Sequence, residues 1–203
     1  GDMAALAGAY AALIGASGGG ALGLFTAIRR LRSTYARIAD RLARDGLPLY
    51  AQHIDPIDTG TLVDIFRDDP HASLLGTDAL RDGVDVPGAS LRLVVMEQVP
   101  WPRPDILHRA RRLSYGGTDY DDRIIRAKLA QAFGRLIRSA GDKGHFVLLS
   151  SAVPSRLLTA FPAGTSIRRV TLEQAVAAIK SGLSPVTNIR QDGADTLQEG
   201  NPI

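Results

Sequence analysis

Leu22-Gly23-Leu24-Phe25-Thr26-Ala27-Ile28-Arg29-Arg30-Leu31-Arg32-Ser33-Thr34-Tyr35-Ala36-Arg37-Ile38-Ala39-Asp40-Arg41-Leu42 changes its periodicity once, and that change decides the fold class. Residues 22–26 form an apolar run of strand length. From Ile28 onward Leu31, Tyr35, Ile38 and Leu42 recur at steps of three and four while arginines fill the other side. That spacing predicts an amphipathic helix, stopped by Gly46 and Pro48. Working outward, the alternation repeats. An Ala-rich helix is expected over 4–14, ending in the glycine cluster at 15–20. Further strands are expected over 47–51, 72–76, 91–99, 145–150 and 166–170. Helices are expected over 59–66, 105–113, 121–139, 155–161 and 172–181. Strands apolar along their whole length belong to a parallel sheet covered on both faces. The expected fold class is therefore α/β, a three-layer sandwich with a mainly parallel central sheet. In such sheets ligands gather in the loops at the carboxyl ends of the strands.

The chain has 203 residues, 45% hydrophobic and 22% charged, enough to bury a sizeable core without covalent staples. With no cysteine there is no disulfide, no thiolate-held zinc or iron–sulfur cluster and no thiol nucleophile, and a reducing cytoplasm is the expected location. His53, His71, His108 and His145 are far apart and none has a two-ligand helical spacing, so no metal site is expected. The nearly uncharged stretch 3–28 is rich in Ala and Gly rather than Leu and Ile, and reads as neither signal peptide nor membrane span. The expected organisation is an N-terminal helix or interdomain linker remnant over 1–17, one domain over 18–183, and a tail over 184–203 with Asp192, Asp195 and Glu199. Gly1 and Asp2 before Met3 suggest a piece cut from a longer protein.

The net charge is only +3, but it is unevenly placed. Arg29, Arg30, Arg32, Arg37, Arg41 and Arg44 face one acid, Asp40, and a second basic stretch runs from Trp101 to Arg138. Such stretches suit phosphate, or form a solvated helix face. Residues 18–23 fit G-x-G-x-x-G and residues 15–19 fit G-x-S-x-G. Both patterns need a strand before and a helix after. Here the order is reversed, so the glycines read as a helix-to-strand connection. No G-x-x-x-x-G-K-[ST] occurs, and the chain is not expected to hydrolyse ATP by itself. Trp101, among Pro100, Pro102 and Pro104, could stack on a base or cover the sheet end.

Gln131, Arg135 and Arg138 lie at i, i+4 and i+7, in one stripe opposite Ile125, Leu129, Ala132 and Leu136. Two aligned guanidinium groups suit a polyphosphate, or form an ordinary exposed Arg-rich helix. Gly134 beside them costs about 1 kcal/mol relative to alanine, which suggests that another surface approaches closely there.

A second block belongs with this one. Thr77-Asp78-Ala79-Leu80-Arg81-Asp82-Gly83-Val84-Asp85-Val86-Pro87-Gly88 resembles motif V of superfamily 2 helicases, T-D-x-x-x-x-G-[LV]-D-[IV]-P-G, and Gln131–Arg138 resembles motif VI, Q-x-x-G-R-x-x-R. The pair is most similar to the DinG and XPD branch. Leu24-Phe25-Thr26 resembles that branch's motif IV, and Gly141-Asp142-Lys143-Gly144 its continuation into a strand. The likeness runs from about Gly18 to Ile179. It implies a RecA-like domain, of the P-loop NTPase type but lacking its own phosphate loop: the second motor domain of an ATP-dependent DNA helicase, inactive alone. It further implies that Arg138 is an arginine finger on the γ-phosphate of ATP and Arg135 a second phosphate contact. Gln131, Gly83 and Asp85 would then line the nucleotide. Thr77, Thr26, Arg29 and Arg30 would follow the phosphates of single-stranded DNA. ATP and Mg2+ would be held with an N-terminal helicase half of the same chain, away from any membrane.

This sequence departs from the family where Arg81-Asp82 replaces Trp-Glu and Ser150-Ser151-Ala152 replaces Asp-x-Arg, so base stacking is not expected at position 81. Two other readings stay open from the residues alone: a non-catalytic nucleic-acid-binding module of the same fold, and a small α/β enzyme acting on a phosphorylated substrate.

Overall fold

The structure, a computed structural model, describes residues 2–77, 80, 90–102, 105–137, 143–150 and 152–182, and the backbone of 186–190. Its elements in order are α1 (Met3–Ser17), β1 (Ala21–Phe25), α2 (Ile28–Arg44), β2 (Leu49–Ala51), α3 (Thr59–Asp68), β3 (Ser73–Thr77), β4 (Leu93–Met96), α4 (Ile106–Tyr115), α5 (Thr118–Leu136), β5 (His145–Leu148), a 3-10 helix (Ser155–Ala160), β6 (Ser166–Val170), α6 (Leu172–Lys180) and β7 (Val186–Arg190). The strands form one sheet in the order β2-β3-β1-β4-β5-β7-β6, and every neighbouring pair is parallel.

The pleat explains the uninterrupted apolar strands. Successive side chains leave a strand on opposite faces. Leu22, Leu24, Leu74, Val94, Met96, Phe146 and Leu148 enter a core with α3, α5 and the 3-10 helix. Ala21, Phe25, Leu75, Leu93, Val95 and Val147 enter a second core with α1, α2 and α6. Both faces are dry, which is the three-layer α/β arrangement expected. Each fully buried leucine, such as Leu22, Leu31 or Leu74, contributes about 2 kcal/mol by leaving water.

Helix α1 belongs to this fold rather than to a linker. It buries Ala7, Tyr10, Leu13 and Ile14, and Tyr10 stacks on Phe25 with ring centroids 4.9 Å apart. Gly23 permits that approach, since a Cβ there would lie 2.6 Å from a Leu75 methyl and 2.8 Å from the Tyr10 ring. The glycine run after α1 is a helix stop: Gly18, Gly19 and Gly20 all have positive φ. Arg92 locks this turn from below, donating to the carbonyls of Ser17, Gly18 and Pro70.

Three boundaries differ from expectation. Strand β4 covers only Leu93–Met96 of the stretch 91–99, because Glu97 and Gln98 turn their polar groups to side-chain partners. Helix α5 ends at Leu136, two residues before Arg138, where Ile137 turns extended at φ −116°, ψ 100°. The sheet also runs past residue 183: β7 sits between β5 and β6, in the segment expected to be tail. Only Val186 and Ile189 of its five residues are apolar, too few to register as a buried strand.

Candidate functional site

Adjacent strands β3, β1 and β4 end side by side at the centre of the sheet, and polar residues begin there. Thr77 closes β3, Thr26 follows β1, and Glu97 and Gln98 follow β4. Glu97 is charged yet only 5% exposed. A buried carboxylate is tolerable when paired and hydrogen-bonded. Here Oε1 accepts from the backbone N–H and hydroxyl of Thr26 at 3.3 and 3.1 Å, and Oε2 accepts from Nε of Arg30 at 2.6 Å. Gln98 Nε2 donates to the Thr26 hydroxyl at 2.6 Å. The phenol of Tyr10 lies below this cluster, its pKa pushed well up by burial first and by the Glu97 charge second. It stays neutral and donates to the Leu24 carbonyl.

Thr77 is held differently. Its backbone N–H donates to Gln52 Oε1 at 3.0 Å, and its hydroxyl makes only a long 3.4 Å contact to the same oxygen. Gln52 is buried at the end of β2 and donates through Nε2 to Thr59 at the start of α3. The Thr77 hydroxyl can therefore turn to a new acceptor at little cost, whereas that of Thr26 already donates to Glu97 and accepts from Gln98.

Helix α2 starts at this same edge, after Ala27, which offers no side-chain cap to its first N–H groups. Uncapped N–H groups and the positive end of a helix dipole attract anions. Arg29 is exposed in the first turn, beside Arg30. Glu97 occupies only Nε of Arg30, and the side chain is 29% exposed, so the terminal N–H groups can serve a ligand. The arrangement can bind phosphate through two guanidinium groups, a hydroxyl and backbone amides, without reading a base.

Gln131 and Arg135 lie elsewhere. Helix α5 runs against the strands: Asp122 near its start pairs with Arg156 of the 3-10 helix at 2.7 Å, beyond the carboxyl end of β5. Its last residue, Leu136, packs against Gly144, which itself adjoins the Arg92 carbonyl at the opposite edge. The five residue steps from Arg92 to Glu97 span about 16 Å. Arg135, half-buried, is thus at the amino edge, and Gln131 is exposed on the same helix. A Cβ on Gly134 would meet nothing within 4 Å, so among the described residues no surface approaches it. The expected stripe keeps Gln131 and Arg135 on α5, while Arg138, Gly83 and Asp85 fall outside the described residues.

Sequence reading missed Glu97, Gln98 and Gln52, which organise the edge. The available signal was the Glu97-Gln98 pair that interrupts the apolar run after Leu93-Val94-Val95-Met96.

Fold and site together define a three-layer α/β domain whose carboxyl edge gathers polar and basic groups. Helicase C-terminal domain sequences match residues 11–163. The ATP-dependent helicase DinG of Mycobacterium tuberculosis is 38% identical over 148 residues, 70% of this chain and 22% of that protein. The 3'-5' exonuclease DinG of Bacillus subtilis is 31% identical over 174 residues, 77% of this chain and 18% of that protein. The solved C-terminal domain of Dbp5 from S. cerevisiae is similar at 14% identity and a TM-score of 0.47, covering 93% of this chain and 85% of that one. The chain belongs to the helicase C-terminal domain family, and its curated relatives include an ATP-dependent helicase and a 3'-5' exonuclease that both carry the name DinG. It spans about a fifth of their length.

Proposed function

We propose that the chain is the second RecA-like motor domain of an ATP-dependent DNA helicase, acting with an N-terminal half of the same polypeptide in the cytoplasm. ATP and Mg2+ sit between the halves. The observation that carries this reading is the carboxyl edge, where the uncapped start of α2, Arg29, a pinned Arg30 and the loosely held Thr77 hydroxyl converge. Contacts of this kind hold the phosphates of a single strand, fix its register and ignore its sequence. Glu97 fixes Arg30 before the strand arrives, so less side-chain entropy is lost on binding. Thr26 contributes to the strand path once its hydroxyl leaves Glu97.

Arg138 is the finger that meets charge developing on the transferred phosphoryl group, with Arg135 and Gln131 coupling nucleotide to domain closure, and Gly83 and Asp85 lining the nucleotide. Because the finger and the phosphate loop lie in different halves, hydrolysis requires closure. The test is binding of a labelled dT20 oligonucleotide by the intact protein across a salt series. Thr77→Val and Arg30→Gln each weaken binding severalfold, and Arg30→Gln lowers the salt slope by about one. Unchanged affinity and slope in both variants contradict the strand assignment.

A further inference from the structure

Helix α4 carries no buried residue: Ile106, Leu113 and Tyr115 are 84%, 88% and 62% exposed. Apolar side chains of this size seldom stand together in water without a partner. Helices α4 and α5 nevertheless meet through polar side chains, since an Asp121 carboxylate oxygen of α5 lies 2.9 Å from Nε2 of His108 and the other 3.3 Å from Nε of Arg112. Around this pair the rings of His108, Tyr120 and Tyr115 form a ladder, with centroids 6.0 and 5.9 Å apart.

Two hollows adjoin the ladder and share Tyr120 and Ile124. One, of about 400 Å³, is lined by Tyr115, Tyr120, Arg123, Ile124 and Ala127 and is almost wholly apolar. The other, of about 260 Å³, is lined in part by Pro102, Asp105, His108, Arg111 and Lys128, so one carboxylate, which accepts from the His108 backbone N–H at 2.6 Å, stands among more numerous basic groups. Pro102 belongs to the segment leaving β4, five residues beyond Glu97, so the second hollow is lined by the chain that leaves the carboxyl edge. Arg123 is set across the first hollow by donating to the Tyr115 carbonyl at 2.7 Å.

We propose that the α4–α5 hairpin extends the single-strand path by one nucleotide, the apolar hollow taking an unstacked base on Tyr115 and Tyr120 and the basic hollow taking its phosphate. Charge complementarity selects the occupant: Arg109 and Arg111 are exposed on α4, the helix itself has no acid, Asp105 at its start caps the His108 N–H, and Asp121 lies against His108 and Arg112. An apolar partner would leave these arginines buried against it. A single strand matches both the rings and the charges, because every base has a face to stack and every step a phosphate.

The inference rests on the nucleic-acid reading above. Its test is photocrosslinking of a dT20 strand carrying 5-iododeoxyuridine to the intact protein, mapped by mass spectrometry, alongside anisotropy titration of Tyr115→Ala. The expected result is an adduct on Tyr115 or Tyr120 and an affinity about tenfold weaker in the variant. Tyr115→Phe, which keeps the ring, restores the affinity. Binding that depends on Thr77 but yields no adduct on either tyrosine, with Tyr115→Ala unchanged, overturns the hairpin site alone. A variant that changes the oligomeric mass rather than the affinity assigns the face to a second copy and also overturns it. No binding of dT20 at all overturns both readings.

Discussion

Arg30 Nε donates to Glu97 Oε2 at 2.6 Å, joining the first turn of α2 to the end of β4 across the central strand β1. The carboxylate is nearly inaccessible while the guanidinium reaches solvent, so the pair is a structural tie that also holds a solvent-facing cation in place. Removing the acid leaves Arg30 and the Thr26 amide without their acceptor. Glu97→Ala is expected to cost about 2 kcal/mol, less than a fully buried pair because Arg30 is partly solvated. Glu97→Gln, which keeps an acceptor, is expected to cost about half as much. Urea unfolding of the two variants checks this, and equal midpoints for Glu97→Ala and the parent chain contradict it.

Arg92 serves the opposite edge. It satisfies carbonyls at the end of α1 and in the Pro70 turn, three acceptors that no helix or strand bond reaches. Desolvation lowers its pKa, yet guanidinium remains charged at any ordinary pH. Arg92→Ala is expected to lower stability by about 2–4 kcal/mol. Arg92→Lys should recover only part, because an ammonium lacks the planar fork. Calorimetry should give a melting temperature several degrees lower for both, about 5–10 °C for alanine.

Gly23 has ordinary backbone angles, so its substitution tests packing alone. A methyl group there collides with Leu75 and Tyr10, both fully buried. Gly23→Ala is expected to destabilise by about 1–3 kcal/mol through overpacking. Combining it with Leu75→Val should return part of that loss. A double-mutant cycle on denaturant midpoints measures the coupling, and strict additivity contradicts the contact.

His145 starts β5 in a buried position, and its Nδ1 has no hydrogen-bond partner. Burial first and the Arg168 charge second hold its pKa below the ordinary 6.5. Between that depressed value and about 6.5 the unfolded chain binds a proton that the folded chain refuses. The contribution is therefore complete above about pH 6.5 and declines as pH falls below it. Comparing denaturant stability of the parent chain and His145→Leu from pH 7.5 to 5.5 isolates it. The parent should lose stability on acidification relative to the variant, and parallel curves contradict this.

The layered α/β fold was legible because burial on both faces of the sheet leaves strands such as 145–148 with no polar alternation. Strand β7 was not, since Asn188 and Thr187 break the apolar run that marks a central strand. Thr26, Thr77 and Arg30 could be located at strand ends from periodicity and motif. Their partners could not, because Glu97 and Gln52 are brought to them by pairing of strands distant in sequence. The expected Gln131-to-Arg138 stripe assumed that α5 continues to 139. Nothing in the pattern signals its stop at Leu136, where Ile137 turns extended to lead toward β5.

As a proposed motor domain, the chain would complete an ATP site held by another part of the same protein through Arg138. DNA-stimulated ATP turnover of the intact protein carrying Arg138→Ala tests it most directly, read beside its dT20 affinity. Turnover is expected to fall by about 10³-fold or more, with folding and oligonucleotide binding largely retained. Near-normal turnover in that variant contradicts it.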